Sequence, residues 1–207
     1  MTIGDNYTII FKANNIVAEE VSELSIKDRL AGLCYGFRYG KQYIIQDPLT
    51  GSLDRKLLEQ GFLDELLLIA RRYERDLTFL LLDIDNFKGI NDRFGHVVAD
   101  NILRQVSRAL QSILRKSDFV IRYGGDEFLL VLSETDQEGA QTLMTTRLVD
   151  ALRTFVEPRL GVSIGLSYGI AALEEDSSAQ ALIEKADQEL YQQKKAKQTN
   201  LRRVNGE

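Results

Sequence analysis

The chain reads as an α+β domain, a mainly antiparallel sheet covered by helices. Three observations predict this. A fully apolar strand spans 78–84, a hairpin turns at Gly124-Gly125, and residues 161–171 alternate large and small. Between them lie stretches whose apolar residues recur at helical spacing, giving the order helix, strand, helices, hairpin, helix, strand, helix and a short closing strand.

Residues 1–46 come first. Tyr7-Thr8-Ile9-Ile10-Phe11 has strand character, and Val17, Val21 and Leu24 within Asn15 to Leu33 are spaced as on a helix. Gly36 and Gly40 among aromatics fit a hairpin or a poor helix. Asp47-Pro48 marks the boundary, because the residue before proline resists helix. The domain proper is therefore expected over 47–207, with 1–46 as an extension.

From Leu53, the positions Leu57, Leu58, Phe62, Leu66 and Ala70 recur at helical period with Asp54, Arg55 and Lys56 outside, so a core-facing helix is expected. The strand Thr78-Phe79-Leu80-Leu81-Leu82-Asp83-Ile84-Asp85 ends in two carboxylates one residue apart. Alternation puts Asp83 and Asp85 on one face and Ile84 on the other. A short helix follows, and its first amides, beside Asn86, Phe87 and Lys88, favour phosphate because helix-initial N–H groups lack internal partners. Val98, Ile102, Val106, Ala109, Ile113 and Leu114 then form one apolar stripe ending at Arg115 and Lys116, where basic residues complement the helix dipole.

Ile121-Arg122-Tyr123-Gly124-Gly125-Asp126-Glu127-Phe128, continued by Leu129 to Leu132, is the hairpin. Two glycines allow the tight reversal, and two acids follow it directly. Set beside the strand at 78–84, it brings Asp83 and Asp126 together. Such carboxylates repel, the more so when buried, unless a divalent cation lies between them, and Mg²⁺ is the simplest occupant.

A helix is expected from Gln137 to Phe155 with Leu143, Leu148, Ala151 and Leu152 inward. In the strand Gly161 to Ala171, Val162, Ile164, Leu166, Tyr168 and Ile170 alternate with Ser163, Gly165, Ser167 and Gly169, whose small face leaves room for a close helix or a ligand. The last helix carries Ala179, Leu182, Ile183, Ala186 and Leu190 at core spacing, then Lys194, Lys195 and Lys197.

Bulk properties narrow the function. A hydrophobic content of 44% over 207 residues is ample for a core, and a formal charge of −5 argues against a general nucleic-acid binder. A single cysteine, Cys34, and a single histidine, His96, exclude a Cys/His zinc site and an internal disulfide, so a reducing cytoplasm is expected. His96 is expected to cap or pack. No apolar run approaches the roughly 20 residues that span a bilayer, and Met1 to Asp5 lacks the basic start of a secretion signal.

Four blocks carry a resemblance. Gly124-Gly125-Asp126-Glu127-Phe128 is similar to the GGDEF motif of diguanylate cyclases, and Asp47-Pro48-Leu49-Thr50-Gly51 resembles that family's D-x-L-T-G. Asp83-Ile84-Asp85-Asn86-Phe87-Lys88-Gly89-Ile90-Asn91-Asp92-Arg93-Phe94-Gly95-His96 resembles its D-I-D-x-F-K-x-x-N-D-x-x-G-H, and Ala186-Asp187, Leu190-Tyr191 and Lys194 its A-D-x-x-L-Y-x-x-K. The resemblance covers about 47–204. It implies the palm-like, ferredoxin-related fold of nucleotidyl cyclases and the condensation of two GTP into cyclic di-GMP and two pyrophosphates across a homodimer.

By the same resemblance, Asp83, the Ile84 carbonyl and Asp126 hold Mg²⁺, with Mn²⁺ as an alternative ion, and Glu127 is a second metal ligand or the proton acceptor. Amides at Asn86 and Phe87 and the side chains of Lys88 and Lys194 hold phosphates. Asn91 and Asp100 read guanine, since a carboxylate accepts the N1–H and amino hydrogens that adenine lacks, and Leu103 lines the base pocket. Ala99 stands where the family has Gly. Arg115-Lys116-Ser117-Asp118 resembles the R-x-x-D that binds product as an inhibitory site, with Arg147 near the position of a second arginine. Arg122 is expected either to reach the partner's phosphates or to form a cross-strand ion pair. Lys197-Gln198-Thr199-Asn200 replaces the family's G-R-N, leaving Lys195 or Lys197 to stand in for a phosphate-binding arginine. Two other readings remain: a silent receptor for cyclic di-GMP, and an interaction module using 1–46, itself a dimer-positioning element or a packing extension.

Overall fold

The computed structural model describes residues 8–12, 15–19, 35–38, 41–44, 46–155 and 164–205. Before the domain, β1 (Thr8–Lys12) pairs antiparallel with β2 (Asn15–Glu19), and β3 (Tyr35–Arg38) with β4 (Lys41–Ile44). The helical spacing over Asn15 to Leu33 is thus overturned at its start. Ile16 and Val17 stand opposite Phe11 and Ile10, and β-branched and aromatic residues favour such cross-strand pairs. Residues 20–34 lie outside the described residues.

The domain continues through β5 (Leu53–Asp54), α1 (Phe62–Arg72), β6 (Leu77–Ile84), α2 (Phe87–Phe94), α3 (His96–Ile113), β7 (Phe119–Arg122) and β8 (Glu127–Ser133). After these come α4 (Gln137–Thr142), α5 (Val149–Phe155), β9 (Leu166–Ala172) and α6 (Ala179–Asn205). The five strands from β5 onward form one sheet in the order β5-β7-β8-β6-β9, antiparallel except for β5 with β7.

Every residue of β6 is buried, as expected of a central strand with both faces covered. Leu80, Leu82 and Ile84 pack with Ile102, Val106 and Leu110 of α3, while Leu77, Phe79 and Leu81 pack with Leu66 of α1 and Leu182 of α6. The period of two therefore also decides where Asp83 points. It shares the α1 and α6 face with Leu81, and so lies under the middle of α6, beside Lys194.

Three expected elements differ. The helix from Leu53 is divided: Leu53 joins the sheet, residues 55–60 form a 3-10 turn, and Gly61, in the left-handed region at φ 76°, separates it from α1. Leu57, Phe62, Leu66 and Ala70 are nevertheless buried, so the period marked the core face while the glycine set the break. The helix over Gln137 to Phe155 is widened at Leu143–Leu148 into a π-helical stretch that carries Arg147. Where a short closing strand was expected, α6 runs on to Asn205, and among the described residues no strand follows it. Of the expected strand Gly161 to Ala171, residues 161–163 lie outside the described residues.

The small face of β9 admits α6. A methyl at Gly169 would collide with the Ala186 carbonyl and the Leu190 amide of the helix backbone. As the outer strand, β9 presents amides on its open edge. The Tyr168 amide donates to Gln193 Oε1 (2.6 Å) and the Ile170 amide to Glu189 Oε2 (2.9 Å), so α6 also satisfies the edge. No helix among the described residues is long and apolar enough to cross a membrane.

Candidate active site

The ends of β6 and β8 meet in register, with Asp83 opposite Glu127. The Ile84 amide donates to the Asp126 carbonyl at 3.4 Å, which draws the turn residue against the end of β6. The turn closes through the Tyr123 and Gly124 amides on the Glu127 carbonyl, at 2.9 and 3.2 Å. The Glu127 carboxylate folds back over the α-carbon of Gly124, where any side chain would collide with it.

Both acids are pushed above their ordinary pKa. For Asp83, burial is the main cause, opposed by the Lys194 ammonium and reinforced by the charges of Asp126 and Asp85. For Glu127, burial again leads, followed by the charges of Asp83 and Asp126, with Lys194 opposing. Three carboxylates thus crowd one strand end, which calls for a cation. An ammonium already stands there: Lys194 Nζ lies 2.7 Å from Asp83 Oδ2. Among the described residues no three carboxylate, imidazole or thiol side chains form a ready metal cage. Asp83 and Glu127 stand opposite each other at this strand end with Asp126 beside them in the turn, while the Ile84 side chain points into the core and leaves only its main chain toward the acids.

Asp85 does not share this grouping. The strand ends at Ile84, so alternation no longer applies, and the Asp85 carboxylate accepts from Ser167 Oγ (2.5 Å) and Lys197 Nζ (2.7 Å). Lys197 also donates to the Leu166 carbonyl at 2.6 Å. Of the two lysines expected to stand in for arginine, Lys197 is the one bound beside the site.

Asn86 is left-handed, with φ 54° and ψ 33°, and no side chain caps α2 there. The helix start at Phe87 and Lys88 is thus left uncapped, and Lys88 is exposed. Asn91, on the same helix, carries a telling detail. Its Oδ1 is buried and has no hydrogen-bond partner among the described residues, in a setting where such acceptors are normally satisfied. Asp100 is half-buried on α3. Leu103, 2% exposed, belongs to the core packed between α3 and the sheet, and Ala99 is likewise buried. His96 is exposed at the first position of α3.

Arg115, Asp118 and Arg147 are brought together on the wall of one cleft of about 620 Å³. Asp118 also closes the turn between α3 and β7, accepting from the Arg115 amide (2.9 Å) and the Ser133 amide (3.1 Å). Arg122 forms an ion pair, as one of the two expectations had it, but with Asp47, which precedes the sheet, rather than across strands. Its Nη1 lies 3.0 Å from each oxygen of Asp47, and its Nη2 donates to the Gly125 carbonyl at 2.7 Å, so it ties the D-x-L-T-G segment to the tip of the hairpin. This pair was not visible in the sequence, since its members are 75 residues apart.

Burial alone would raise the Asp47 pKa, but hydrogen bonds from the Thr50 hydroxyl and amide, and the charge of Arg122, outweigh it and hold the group below its ordinary value. A carboxylate with a lowered folded pKa contributes stability above its unfolded pKa and loses it as pH falls through the folded value. Asp47→Asn is expected to cost about 2 kcal/mol near neutral pH, with the difference from wild type shrinking as pH falls below about 3.9. Urea midpoints along an acid titration measure both.

Comparison with known proteins agrees with this geometry. Residues 44–200 match the family described as diguanylate cyclase, GGDEF domain. Diguanylate cyclase DgcP of Pseudomonas aeruginosa is 40% identical over 159 residues, 75% of this chain and 23% of that protein. Probable diguanylate cyclase DgcC of Escherichia coli strain K12 is 39% identical over 153 residues, 73% of this chain and 41% of that protein. The chain therefore spans less than half the length of these curated relatives. Among solved structures, the GGDEF domain of DgcB from Caulobacter crescentus, in complex with c-di-GMP, aligns with a TM-score of 0.68 at 27% identity, covering 78% of this chain and 93% of that one. Diguanylate cyclase SiaD from Pseudomonas aeruginosa, in complex with its activator SiaC, aligns with a TM-score of 0.67 at 33% identity, covering 73% and 58%. The mixed five-stranded sheet flanked by helices is thus the palm-like α+β fold of these cyclases. With its four motifs set around one acidic strand end and a family match over most of its length, the chain belongs to the GGDEF-domain diguanylate cyclase family.

Proposed function

We propose that this domain condenses two GTP into cyclic di-GMP with release of two pyrophosphates. The observation that carries the reading is the meeting of Asp83 with Glu127 across β6 and β8, crowded by Asp126 and already attended by the Lys194 ammonium. The unpartnered Asn91 acceptor adds the base, because guanine offers N–H donors to it and to Asp100.

Asp83, the Ile84 carbonyl, Asp126 and Glu127 would hold Mg²⁺ or Mn²⁺, which when bound lowers the pKa of a 3′-hydroxyl and offsets charge on the α-phosphate and the leaving pyrophosphate. The chain's own residues do the rest. Amides at Asn86 and Phe87, with Lys88 and Lys194, grip the triphosphate and orient it at the start of α2. Asn91 and Asp100 choose guanine, above a floor kept rigid by Leu103. The 3′-oxygen of one GTP forms a bond to the α-phosphorus of the other as the α–β phosphoanhydride bond breaks, and Glu127 is placed to take the hydroxyl proton. Each domain holds one GTP, so two domains face each other antiparallel, and residues 1–46 serve as an extension that positions the pair. Arg115, Asp118 and Arg147 receive the product and restrain further turnover, since arginine forks onto guanine or phosphate acceptors and aspartate takes guanine donors. Arg122 acts from its place at Asp47, fixing the hairpin tip that carries Asp126. The reaction belongs in the cytoplasm, where GTP is available.

Incubating purified protein with GTP and Mg²⁺, followed by chromatography of the nucleotides, tests this. Cyclic di-GMP and pyrophosphate are expected, with a rate rising more steeply than linearly in enzyme at low concentration and with ATP left unconverted. Tight binding of cyclic di-GMP without any turnover would select the receptor reading, and strict proportionality to enzyme would remove the dimer step.

A further inference from the structure

Lys194 and Lys197 stand three residues apart on α6 and therefore share one face of the helix. They meet the two acids at the end of β6: Lys194 Nζ lies 2.7 Å from Asp83, and Lys197 Nζ lies 2.7 Å from Asp85. Only the first of these acids has a part in the proposed chemistry. Asp85 is nevertheless held from three sides. Its amide donates to the Gly165 carbonyl at 2.9 Å, the fully buried Ser167 hydroxyl donates to Oδ1 at 2.5 Å, and Lys197 donates to Oδ2. A methyl at Gly165 would collide with that same carboxylate, so β9 leaves it room.

What this clasp holds is the residue after it. Asn86 lies in the left-handed region at φ 54°, a conformation that strains a residue other than glycine and persists only where its surroundings fix it. On the helix side, the Asn86 side chain lies over Gly89, where a methyl would collide with it, and its carbonyl accepts from the Ile90 amide at 3.1 Å. On the strand side stands Asp85. The first amides of α2 are aimed by the path the chain takes between the two.

Lys197 itself is engaged. Two of the three donors of its ammonium are taken by Asp85 and by the Leu166 carbonyl at 2.6 Å, and the Asp85 charge offsets its own. We infer that Lys197 is a positioning residue rather than a stand-in for a phosphate-binding arginine: by clasping Asp85 it fixes the left-handed turn at Asn86, and so aims the first amides of α2 at the triphosphate. The ligand is that of the GTP reading, on which this aim rests, whereas the clasp is measurable without any ligand.

Two measurements on the full chain test it. In the ligand-free protein, amide exchange followed by NMR is expected to be at least about tenfold faster at Asp85 and Ile90 in Lys197→Met than in wild type, while amides of 79–82 keep their rate. Calorimetric titration with a non-hydrolysable GTP analogue and Mg²⁺ is expected to show binding at least about tenfold weaker for Lys197→Met. Lys197→Arg, which can still donate to both acceptors, is expected to return within about threefold of wild type. Asp85→Ala should weaken binding as much as Lys197→Met, and the double variant no further, because the two side chains act through one contact. Should Asp85→Ala unfold the chain, Asp85→Asn completes the same cycle. Losses that multiply in the double variant would make Lys197 a phosphate ligand in its own right and overturn the inference. So would equal affinity of wild type and Lys197→Met, or exchange at Asp85 and Ile90 that the substitution leaves unchanged. Amides freed by Lys197→Met, in a protein whose wild type binds no analogue, would strike the GTP reading and leave the clasp in place.

Discussion

Asp126→Ala is expected to lower cyclic di-GMP formation at least about a thousandfold, roughly 4 kcal/mol of transition-state stabilisation, while cyclic di-GMP binding stays unchanged. The two readouts separate because Asp126 sits at the hairpin tip, whereas Arg115, Asp118 and Arg147 line a cleft at the other end of β7 and β8. Asp83→Asn and Glu127→Gln are expected to be similarly inactive, and Glu127→Gln carries a second signature. Its carboxyl is raised by burial and by two neighbouring acids, so in the ligand-free protein its charge weakens the fold near neutral pH. That penalty disappears as pH falls through the raised folded value toward the unfolded value of about 4.3. Thermal unfolding should therefore show Glu127→Gln more stable than wild type at pH 7 and equal to it in acid. A variant that is inactive and less stable at pH 7 would mean that Glu127 supports the fold rather than the reaction.

Gly169→Ala is expected to cost at least about 3 kcal/mol, enough to leave a domain of ordinary stability partly unfolded at 37 °C. The added methyl has nowhere to go, since it meets the Ala186 carbonyl and the Leu190 amide, which belong to helix backbone and cannot rotate away. Relief requires α6 to lift from β9, and with it go the Glu189 and Gln193 bonds to the edge amides and the placement of Lys194 over Asp83. Circular dichroism melts measure the loss. Gly125→Ala, at an exposed position with no neighbouring atom near the added methyl, is the control and should melt within about 0.5 kcal/mol of wild type.

How far the letters reach depends on how local the cause is. The strand at 78–84 and the hairpin were legible because a continuous apolar run and a Gly-Gly reversal are short-range signals, and the meeting of Asp83 with the acids of the hairpin followed from pairing the two. The Leu53 to Ala70 stripe named Leu57, Phe62, Leu66 and Ala70 correctly as buried but not the break, since a period of 3.6 is blind to one left-handed glycine. Val17 misled, because a helical spacing of apolar residues says less than the pairing of Ile16 with Phe11, while Val21 and Leu24 lie outside the described residues. Asp85 was set beside Asp83 by an alternation that ended one residue too soon. The π-helical widening around Arg147 and the bond between Asp47 and Arg122 depend on tertiary contacts, and no single stretch announces them. The Asn91 acceptor was named from its motif, but its burial without a partner is visible only in three dimensions.

The central claim is that Asp83, with Asp126 and Glu127, holds a divalent ion that in turn holds the nucleotide. Equilibrium dialysis of Mn²⁺ with a non-hydrolysable GTP analogue, reading protein-bound Mn²⁺, tests it most directly. The wild type is expected to retain the ion with the nucleotide, and Asp83→Asn to retain at least about tenfold less, a loss of about 1.4 kcal/mol. Equal retention of Mn²⁺ by the two proteins would contradict the account.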